Sequence, residues 1–315
     1  MWSGLRLFSP SSISSLPGWM MPPWNDAEHG FPPRQHVVDY LTAYEERYDF
    51  APLRPHRVTS VSRADSDPDG RLLVQAEGLE VSARLVVSAT GTWDQPFWPT
   101  YPGADEFRGR QLHTAGYHRP EEFDVQRVAI VGAGNSAAQI LAEVSGVADT
   151  VWVTPGAPRF LPDDVDGRVL FAAATQRVLA QQQGTEHPGV GGLGDIVMVD
   201  NVRDARTRGV LNARPMFSRL TTAGLQWVDG TEEDVDTVIW CTGFRPVLRH
   251  LAPMRLRGRD GRMPTAGAGG TRSVVDPRVY LVGYGDWTGP ASATLLGVGR
   301  TARDTAADIV SRVSQ

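Results

Sequence analysis

The spacing of apolar residues changes along this chain from helical to strand-like. Residues 34–48 repeat apolar side chains at the interval of one helix face, which predicts an amphipathic helix. The apolar stripe of this helix comprises Val37, Val38, Leu41, Tyr44 and Tyr48. Residues 57–63, 71–78 and 80–90 carry apolar runs between turn residues, and we interpret them as three strands.

A different pattern begins after a connector rich in proline and tryptophan at residues 91–103. A buried strand at 127–131, a helix at 136–144 and a strand at 149–154 predict a βαβ unit. Two further hydrophobic strands are expected, within residues 235–243 and 278–286. This alternation of strands and helices predicts an α/β fold.

Two helices remain to be placed. One is expected near 168–182, followed by a glycine-rich loop at 181–194. The other is expected at 292–313, at the end of the chain. The side chains that we expect this last helix to turn inward are Leu295, Leu296, Val298, Ala302, Ala306 and Ile309.

The composition excludes several kinds of chemistry. The 315 residues include 31 cationic and 36 acidic side chains, for a formal net charge of −5, and every cation is arginine. Schiff-base enzymes, a P-loop lysine and a lysine base are therefore excluded. The acidic balance argues against nucleic acid as a partner. One arginine-rich stretch among Gly and Asp is typical of a solvated surface loop, with Arg255, Arg257, Arg259 and Arg262.

Cys241 is the single cysteine, which excludes a disulfide framework, a CxxC redox pair and a cysteine-based zinc site. This fits a reducing, cytoplasmic compartment. No apolar run reaches the ~18–20 residues that a membrane helix needs. Residues 1–24 lack the apolar core of a signal peptide, so we expect no membrane partner and no removable leader.

The strongest local signal is a GxGxxA motif between the strand and the helix of the βαβ unit, at Gly132, Gly134 and Ala137. The first glycine allows a tight turn, the second lets the backbone approach a pyrophosphate, and the third position must be small for packing. The helix that follows begins near Asn135 and Ser136, and its N-terminal N–H groups favour phosphate. We therefore predict a dinucleotide site.

The end of the second strand of the unit indicates which dinucleotide. NAD sites place an acidic residue there to hold the ribose hydroxyls. This strand instead ends in Thr154, and the nearest cation is Arg159. A hydroxyl and an arginine, without a carboxylate to repel a 2′-phosphate, favour NADP.

Other readings of these patterns are weaker. Residues 134–138 nearly match the GxSxG elbow of a hydrolase, with Asp234 or Asp236 and then His250 in chain order, but Ala138 replaces the last glycine. Residues 162–173 resemble a calcium loop, but proline occupies its first ligand position. His113 and His118 lack ligand spacing. We therefore expect no metal site.

Five short motifs follow one another between residues 88 and 300. They are Ser88-Ala-Thr90-Gly91, Phe107-x-Gly109-x3-His113-x3-Tyr117, Gly132 to Ala137, Trp240-Cys-Thr242-Gly243-Phe244-Arg-Pro, and Val282-Gly-Tyr-Gly285-Asp286. The N-terminus adds W-x-x-L-R-L-F-S-P, from Trp2 to Pro10, and S-S-L-P-G, from Ser14 to Gly18. In this order the motifs resemble the flavin-containing monooxygenases and their relatives, the class B flavoprotein monooxygenases, and above all simple bacterial members.

This resemblance implies two dinucleotide-binding, Rossmann-like domains. An NADPH-binding domain at 119–243 is inserted in a discontinuous FAD-binding domain formed by 1–118 and 244–315. The implied cofactors are FAD and NADPH. Thr90 and Gly91 fall at the first hinge between the domains, and Thr242 and Gly243 at the second.

The resemblance also implies roles for single residues. Asp286, next to Gly285, holds the ribityl chain of FAD, and the helix near Thr294 and Leu295 points its N-terminus at the flavin. Arg6 contacts a cofactor.

Asn135 and His113 position the nicotinamide half and are the candidate catalytic residues. In the implied reaction NADPH reduces FAD, and O2 forms a C4a-(hydro)peroxyflavin. One oxygen then passes to a small soft nucleophile, such as an amine nitrogen or a sulfur, or to a ketone carbonyl.

The chain departs from the family at its start. The family opens with a βαβ unit that carries its own GxGxxG for FAD, and no such motif precedes residue 132. Roughly 40 residues of the pattern are lacking, through a misplaced start or a natural truncation, and with them the phosphate cradle for FAD. We therefore expect an N-terminally truncated FAD domain that binds FAD poorly.

The sequence leaves two alternatives to an NADPH- and FAD-dependent monooxygenase. One is a flavin-dependent NADPH oxidase or reductase, and the other is a non-catalytic NADP-binding remnant. A disulfide reductase is disfavoured because Cys241 has no partner. The expected partners are a small-molecule substrate and O2, and a homodimer is compatible with the sequence.

Overall fold

The structure, a computed structural model, describes residues 2–25, 30–67, 69–169, 172, 176, 195–258, 263–267, 269–289 and 291–314. Most of the helix expected near 168–182 and all of the glycine-rich loop at 181–194 lie outside these ranges, as do Arg259 and Arg262. Helices with both ends in the described residues are α1 (Arg34–Arg47), α2 (Asn135–Val144), α3 (Asp200–Thr207) and α4 (Leu295–Val313).

The strands of the described residues are, in chain order, β1 (Val58–Arg63), β2 (Leu72–Ala76), β3 (Leu79–Ala83), β4 (Val86–Ser88), β5 (Arg110–His113), β6 (Arg127–Val131), β7 (Asp149–Thr154), β8 (Ala213–Pro215), β9 (Arg219–Leu220), β10 (Gly224–Gln226), β11 (Glu232–Asp234), β12 (Thr237–Trp240), β13 (Thr265–Ala266), β14 (Arg272–Ser273) and β15 (Val279–Leu281). These elements confirm the α/β prediction.

The largest sheet has five parallel strands in the order β5-β12-β6-β7-β8. Its central strand, β6, is buried on both faces, which explains its unbroken apolar sequence. Val128 and Ile130 pack on the side of α2 and α3, and Ala129 and Val131 pack against the opposite core. Because successive side chains of a strand point to opposite faces, β6 contributes residues to both cores.

The face opposite α2 is covered by a small antiparallel sheet in the order β11-β10-β9. Leu220 and Leu225 of this sheet are fully buried and pack with Trp240 of β12. The parallel sheet is thus covered on both faces, as parallel sheets require.

The remaining described strands form two more sheets. Strands β1, β2 and β3 form an antiparallel sheet, and the other sheet has the order β13-β14-β15-β4. Within the latter, β15 and β4 run parallel. A core between these sheets holds Val61, Leu72 and Leu281, together with Leu251 and Met254 of the 3-10 helix Arg249–Met254.

The segment at 80–90 corrects one prediction. It forms two strands, β3 and β4, rather than one, and they belong to different sheets. The chain leaves β3 at Ala83, and β4 begins at Val86, where it pairs with β15. An apolar pattern continuous across both strands concealed this exchange of partners.

Two helices form as predicted but bury other faces. In α1 the buried side chain is Tyr40, 1% exposed, whereas Val38 and Leu41 of the predicted stripe are 44% and 39% exposed. In α4 the buried residues are Gly299, Thr301 and Thr305. Three of the residues expected to point inward, Leu296, Ala302 and Ala306, are exposed. The apolar stripe of α4 is therefore rotated away from the sheet that the helix covers.

The sequence predicts a domain boundary at residue 119, and two segments that precede this position pack with the five-stranded sheet and its core. Strand β5 precedes that position, yet it pairs with β12 in the five-stranded sheet. Trp2, Leu5 and Phe8 also pack into the core beside α2.

Among the described helices, none combines the length and the apolar character needed to cross a bilayer.

Candidate functional site

The glycine turn follows directly from the end of β6. The N–H of Gly132 donates to the carbonyl of Val153 on β7, 2.9 Å away. Gly132 has a φ of +145°, and a Cβ built there would lie 2.4 Å from the carbonyl oxygen of Cys241. Only glycine fits a position with both a positive φ and so close a backbone neighbour.

Gly134 plays a different part in the turn. It is the N-cap of α2, and a Cβ built there would meet no atom within 4 Å. The space beside it is therefore open to a ligand. Ala138 makes the first helical bond, to the carbonyl of Gly134 at 3.2 Å, so the earlier N–H groups of α2 are left for an anion. Ala137 is 1% exposed and packs in the core, as the motif predicts.

Asn135 fixes the segment that faces the turn. Its Nδ2 donates to the carbonyl of Asp195 at 2.9 Å, and its Oδ1 accepts from the N–H of Val197 at 2.8 Å. Arg159 forms an ion pair with Asp195, with Nη2 2.7 Å from Oδ1, and its side chain stays 74% exposed. Thr154 is buried at the end of β7.

One cavity collects predicted residues from three distant parts of the chain. It measures about 410 Å³ and lies between the N-terminal segment, α1, α2 and the start of α4; we call it the N-terminal cavity. The predicted cofactor residues that line it are Arg6, Asn135, Ser136, Thr294 and Leu295. Most of the remaining lining is apolar, including Val37, Leu41 and Leu296.

The polar groups at the rim of the N-terminal cavity are held in place. Arg6 donates from Nη1 to the carbonyl of Phe31 at 2.9 Å. Thr294 caps α4, because its hydroxyl accepts from the N–H of Gly297 at 3.0 Å. Two helix N-termini, those of α2 and α4, therefore open onto one largely apolar space.

The hinge residues lie elsewhere, where two connections run side by side. Val247 donates to the carbonyl of Gly91 at 2.9 Å, and Phe97 donates to the carbonyl of Gly243 at the same distance. The hydroxyl of Thr242 donates to the carbonyl of Phe97 at 2.5 Å. Both glycines have a positive φ, of +63° and +78°. The two chain segments that link the sheets are thus hydrogen-bonded to each other.

Both ring nitrogens of His113 form hydrogen bonds beside these two connections. Its Nδ1 accepts from the N–H of Ala115 at 3.1 Å, so the proton of the neutral ring is on Nε2, which donates to the carbonyl of Gly243 at 2.9 Å. Burial lowers the pKa of His113. The ring therefore holds the hinge glycine, and neither nitrogen is left for a ligand in this arrangement.

Tyr117, the last residue of the same motif, contacts a carboxyl group that the sequence did not single out. Its hydroxyl donates to Glu143 of α2 at 2.7 Å, and Trp2 donates to the same carboxyl from Nε1 at 3.2 Å. Burial raises the pKa of Glu143. Glu143 was missed because its partners lie 26 and 141 positions away.

A buried hydroxyl network was also missed. The hydroxyl of Tyr284 lies 2.7 Å from Ser88 Oγ and 2.8 Å from Thr90 Oγ1, and Ser88 Oγ lies 2.9 Å from Nε2 of His250. Thr90 Oγ1 donates to the carbonyl of Val247 at 2.6 Å. Burial lowers the pKa of His250, which favours its neutral form.

Gly285 turns the chain after β15 with a φ of +82°, and its carbonyl accepts from the hydroxyl of Ser292 at 2.8 Å. The side chain of Asp286, predicted to hold a ribityl chain, lies outside the described part.

The alternative sites find no support in the geometry. Ser136 lines the N-terminal cavity, whereas His250 bonds to Ser88, so the hydrolase order of residues is not assembled. Burial raises the pKa of the Cys241 thiol to about 12. Within the described ranges no group of His, Cys, Asp and Glu side chains forms a potential metal site.

Known proteins that resemble this chain indicate its family. A family model described as pyridine nucleotide-disulphide oxidoreductase matches residues 8–184, more than half of the chain. The structure of a flavin-containing monooxygenase from Stenotrophomonas maltophilia is 47% identical, with a TM-score of 0.86, and the match covers 99% of this chain and 86% of that one.

Two more distant proteins extend the comparison. Indole-3-pyruvate monooxygenase YUCCA1 of Oryza sativa subsp. japonica is 28% identical in an alignment of 281 positions that covers 78% of this chain and 66% of that protein. Bacillithiol disulfide reductase from Staphylococcus aureus is 14% identical with a TM-score of 0.70, and this likeness shows the fold alone. The comparisons confirm the predicted flavoprotein oxidoreductase fold and the relation to monooxygenases. The chain therefore belongs to the pyridine nucleotide-disulphide oxidoreductase family and, within it, to the flavin-containing monooxygenases and their relatives.

Proposed function

We propose that the chain is an NADPH- and FAD-dependent monooxygenase that acts on a small soft nucleophile or a carbonyl compound. The observation that carries this proposal is the N-terminal cavity, where the helix of the glycine turn and the start of α4 face one apolar space. A nicotinamide and a flavin ring must meet for hydride transfer, and this arrangement brings the two predicted cofactor helices together. The division into an NADPH unit at 119–243 and a flavin unit at 1–118 and 244–315 is part of the proposal.

The nicotinamide cofactor is assigned to the turn that begins at Gly132. The open space beside Gly134 and the free N–H groups of α2 suit a pyrophosphate. Arg159, whose guanidinium is exposed at the end of β7, is the group for a 2′-phosphate. Asp195 neutralises part of its charge, but an arginine can bind two acceptors through separate N–H groups.

The flavin is assigned to the N-terminal cavity. An apolar lining suits an isoalloxazine ring, and the N-terminus of α4 suits the side of a reduced ring where negative charge develops. Thr294 and Leu295 begin this helix, and Arg6 supplies a cation at the rim. Flavin chemistry would supply both the acceptance of hydride and the activation of O2.

The side chains of this chain position the cofactors and keep water out of the N-terminal cavity. Leu7, Leu41 and Leu296 surround the N-terminal cavity with apolar groups, which favours the exclusion of water from a reacting centre. Asn135 holds residues 195–197 against the entrance of α2 and thereby shapes the nicotinamide side. His113 holds the carbonyl of Gly243, so we assign it a positioning role at the hinge.

Disulfide exchange, the reaction in the family's name, is not proposed here. Cys241 is the only cysteine, and its thiol is held protonated by burial. A thiolate is the form that attacks a disulfide, and a second thiol is needed to complete the exchange.

The test is NADPH-driven O2 uptake by the purified protein in the presence of graded FAD. Candidate amines, sulfides and ketones are supplied in turn, and hydrogen peroxide is measured alongside. A substrate that gains oxygen while peroxide release falls supports the monooxygenase. Full release of peroxide with every substrate indicates an NADPH oxidase. NADP+ binding without any FAD-dependent turnover indicates the non-catalytic alternative.

A further inference from the structure

A second cavity, unrelated to the glycine turn, lies beside the segment that follows the second hinge. It measures about 780 Å³, a size typical of small-molecule sites. Four arginines line it, namely Arg245, Arg249, Arg255 and Arg257. We call it the arginine cavity.

The segment that carries these arginines is anchored by alternate burial. Leu248, Leu251, Met254 and Leu256 are all 9% exposed or less and belong to the core beside β1 and β15. Arginine side chains that lie between these anchors are exposed. Because the backbone is fixed by its buried neighbours, the guanidinium groups project from a rigid support.

The turn at Arg255 adds to this arrangement. Arg255 ends the 3-10 helix in a left-handed conformation, with a φ of +51°, and its N–H donates to the carbonyl of Ala252 at 3.2 Å. This conformation is uncommon for a residue with a long side chain and is maintained only where the surroundings require it.

The described lining residues of the arginine cavity do not balance its positive charge. No carboxylate occurs among its described lining residues. Arg245, Arg249 and Arg255 form no ion pair with any described residue, although acidic residues outnumber cations in the chain as a whole. Among the described residues, three guanidinium groups without an ionic partner therefore surround one concavity and concentrate positive potential there.

Apart from Gln95, the rest of the described lining is apolar. Trp287 donates from Nε1 to the carbonyl of Met263 at 3.1 Å, which fixes its ring at the wall. Arg245 lies over the ring of Phe97 at 4.3 Å, which restrains its guanidinium. The arginine cavity thus offers cations on a fixed backbone beside apolar surface.

We propose that the arginine cavity binds a small organic anion that combines a dianionic group, a phosphate or a pair of carboxylates, with an apolar or aromatic body. The guanidinium groups match the oxygens of such a group through paired hydrogen bonds. The apolar lining groups that are not fully buried, Trp287, Pro246 and Ala252, receive the body.

The arginine cavity also lies against the two hydrogen-bonded chain segments that link the sheets. The N–H of Arg245 donates to the carbonyl of Gln95 at 2.8 Å, and both residues line the arginine cavity. An anion held by Arg245 therefore sits against the paired segments that link the sheets.

The test uses 1-naphthyl phosphate as the probe and calorimetry on the full chain, with NADP+ at saturation to occupy the nucleotide site. We expect the double variant Arg249→Gln/Arg255→Gln to weaken binding at least about tenfold, as the loss of charge-assisted hydrogen bonds implies. The matched control, Arg71→Gln/Arg108→Gln, removes two exposed arginines that line neither described cavity and should bind as the parent does. Circular dichroism checks that both variants are folded.

Several results would overturn the assignment. The assignment is wrong if the parent does not bind the probe, or if the two double variants bind it with equal affinity. It is also wrong if NADP+ displaces the probe. Equal binding of 1-naphthol would contradict a role for the charge. Binding of inorganic phosphate as tight as that of the probe would contradict a role for the apolar wall.

Discussion

The hydroxyl of Ser88 lies 2.9 Å from Nε2 of His250, although the two residues are 162 positions apart. Ser88 ends β4, just before the first connection to the five-stranded sheet, and His250 follows the second connection. Both are buried, and Tyr284 at the end of β15 completes the network. The start of one connection and the end of the other are therefore joined by side chains as well as by backbone hydrogen bonds.

Replacing Tyr284 by Phe tests this network. The change keeps the ring but removes one hydrogen-bond partner from the buried hydroxyl of Ser88 and one from the hydroxyl of Thr90, which is exposed. We expect a loss of ~1–3 kcal/mol in the free energy of unfolding, measured with urea. Tyr48→Phe, at a ring that is 39% exposed, is the matched control and should change it by less than ~0.5 kcal/mol. Equal effects of the two changes would contradict the network.

Glu143 predicts a pH dependence with a definite sign. Burial raises its pKa in the folded state, so folding favours the protonated form and stability falls as pH rises through that raised value. Gln cannot ionise and still accepts a hydrogen bond. We therefore expect the stability of Glu143→Gln relative to the parent to increase as pH rises above about 4.5, the usual value for Glu.

The measurement is urea unfolding at a series of pH values between acid and neutral. Glu46→Gln, at an exposed carboxylate of α1, is the control for loss of one charge. Parallel profiles for Glu143→Gln and the parent would show that the buried carboxyl does not titrate as proposed.

The two glycines of the turn should respond differently to alanine. In Gly132→Ala the new Cβ meets a backbone oxygen at 2.4 Å, and the positive φ adds strain, so we expect a loss above ~3 kcal/mol in stability. In Gly134→Ala the methyl group meets no protein atom and should cost less than ~1 kcal/mol. It fills the space assigned to the pyrophosphate, so NADP+ affinity should fall about tenfold or more.

Calorimetric titration with NADP+ and thermal unfolding of both variants separate these effects. A Gly134→Ala variant that binds NADP+ as tightly as the parent would place the pyrophosphate elsewhere.

Arg159 is expected to distinguish the two nicotinamide cofactors. Arg159→Gln removes the cation assigned to the 2′-phosphate, so its affinity for NADP+ should fall about tenfold, while NAD+ binding changes little. The change also breaks the ion pair with Asp195, and NAD+ serves as the control for that loss. Equal weakening of both cofactors would mean that Arg159 acts by holding residue 195 rather than by contacting phosphate.

The local features of this protein were predictable because each depends on few neighbouring residues. The strand, glycine turn and helix at 127–144 appear where the motif indicates, since Gly132 needs its φ and Ala137 needs its size within one βα unit. The lengths of α1 and α4 follow equally from their apolar spacing.

The faces that these helices bury were not predictable in the same way. An apolar stripe shows that a surface tends to leave water, but not which element covers it. In α4 the covered residues are Thr301 and Thr305, because the hydroxyl of Thr305 meets that of Thr271 beside the sheet. The split of residues 80–90 between two sheets has the same origin, since strand partners are chosen by distant segments.

What the amino-acid pattern determines here is therefore the set of elements, the nucleotide turn and the family to which the motifs point. The N-terminal cavity, the Tyr117–Glu143 contact, the Ser88–His250 contact and the arginine cavity exist only once segments remote in the chain are packed together. Each depends on burial and on distances between residues far apart in sequence, and those are properties of the packed chain rather than of any local stretch.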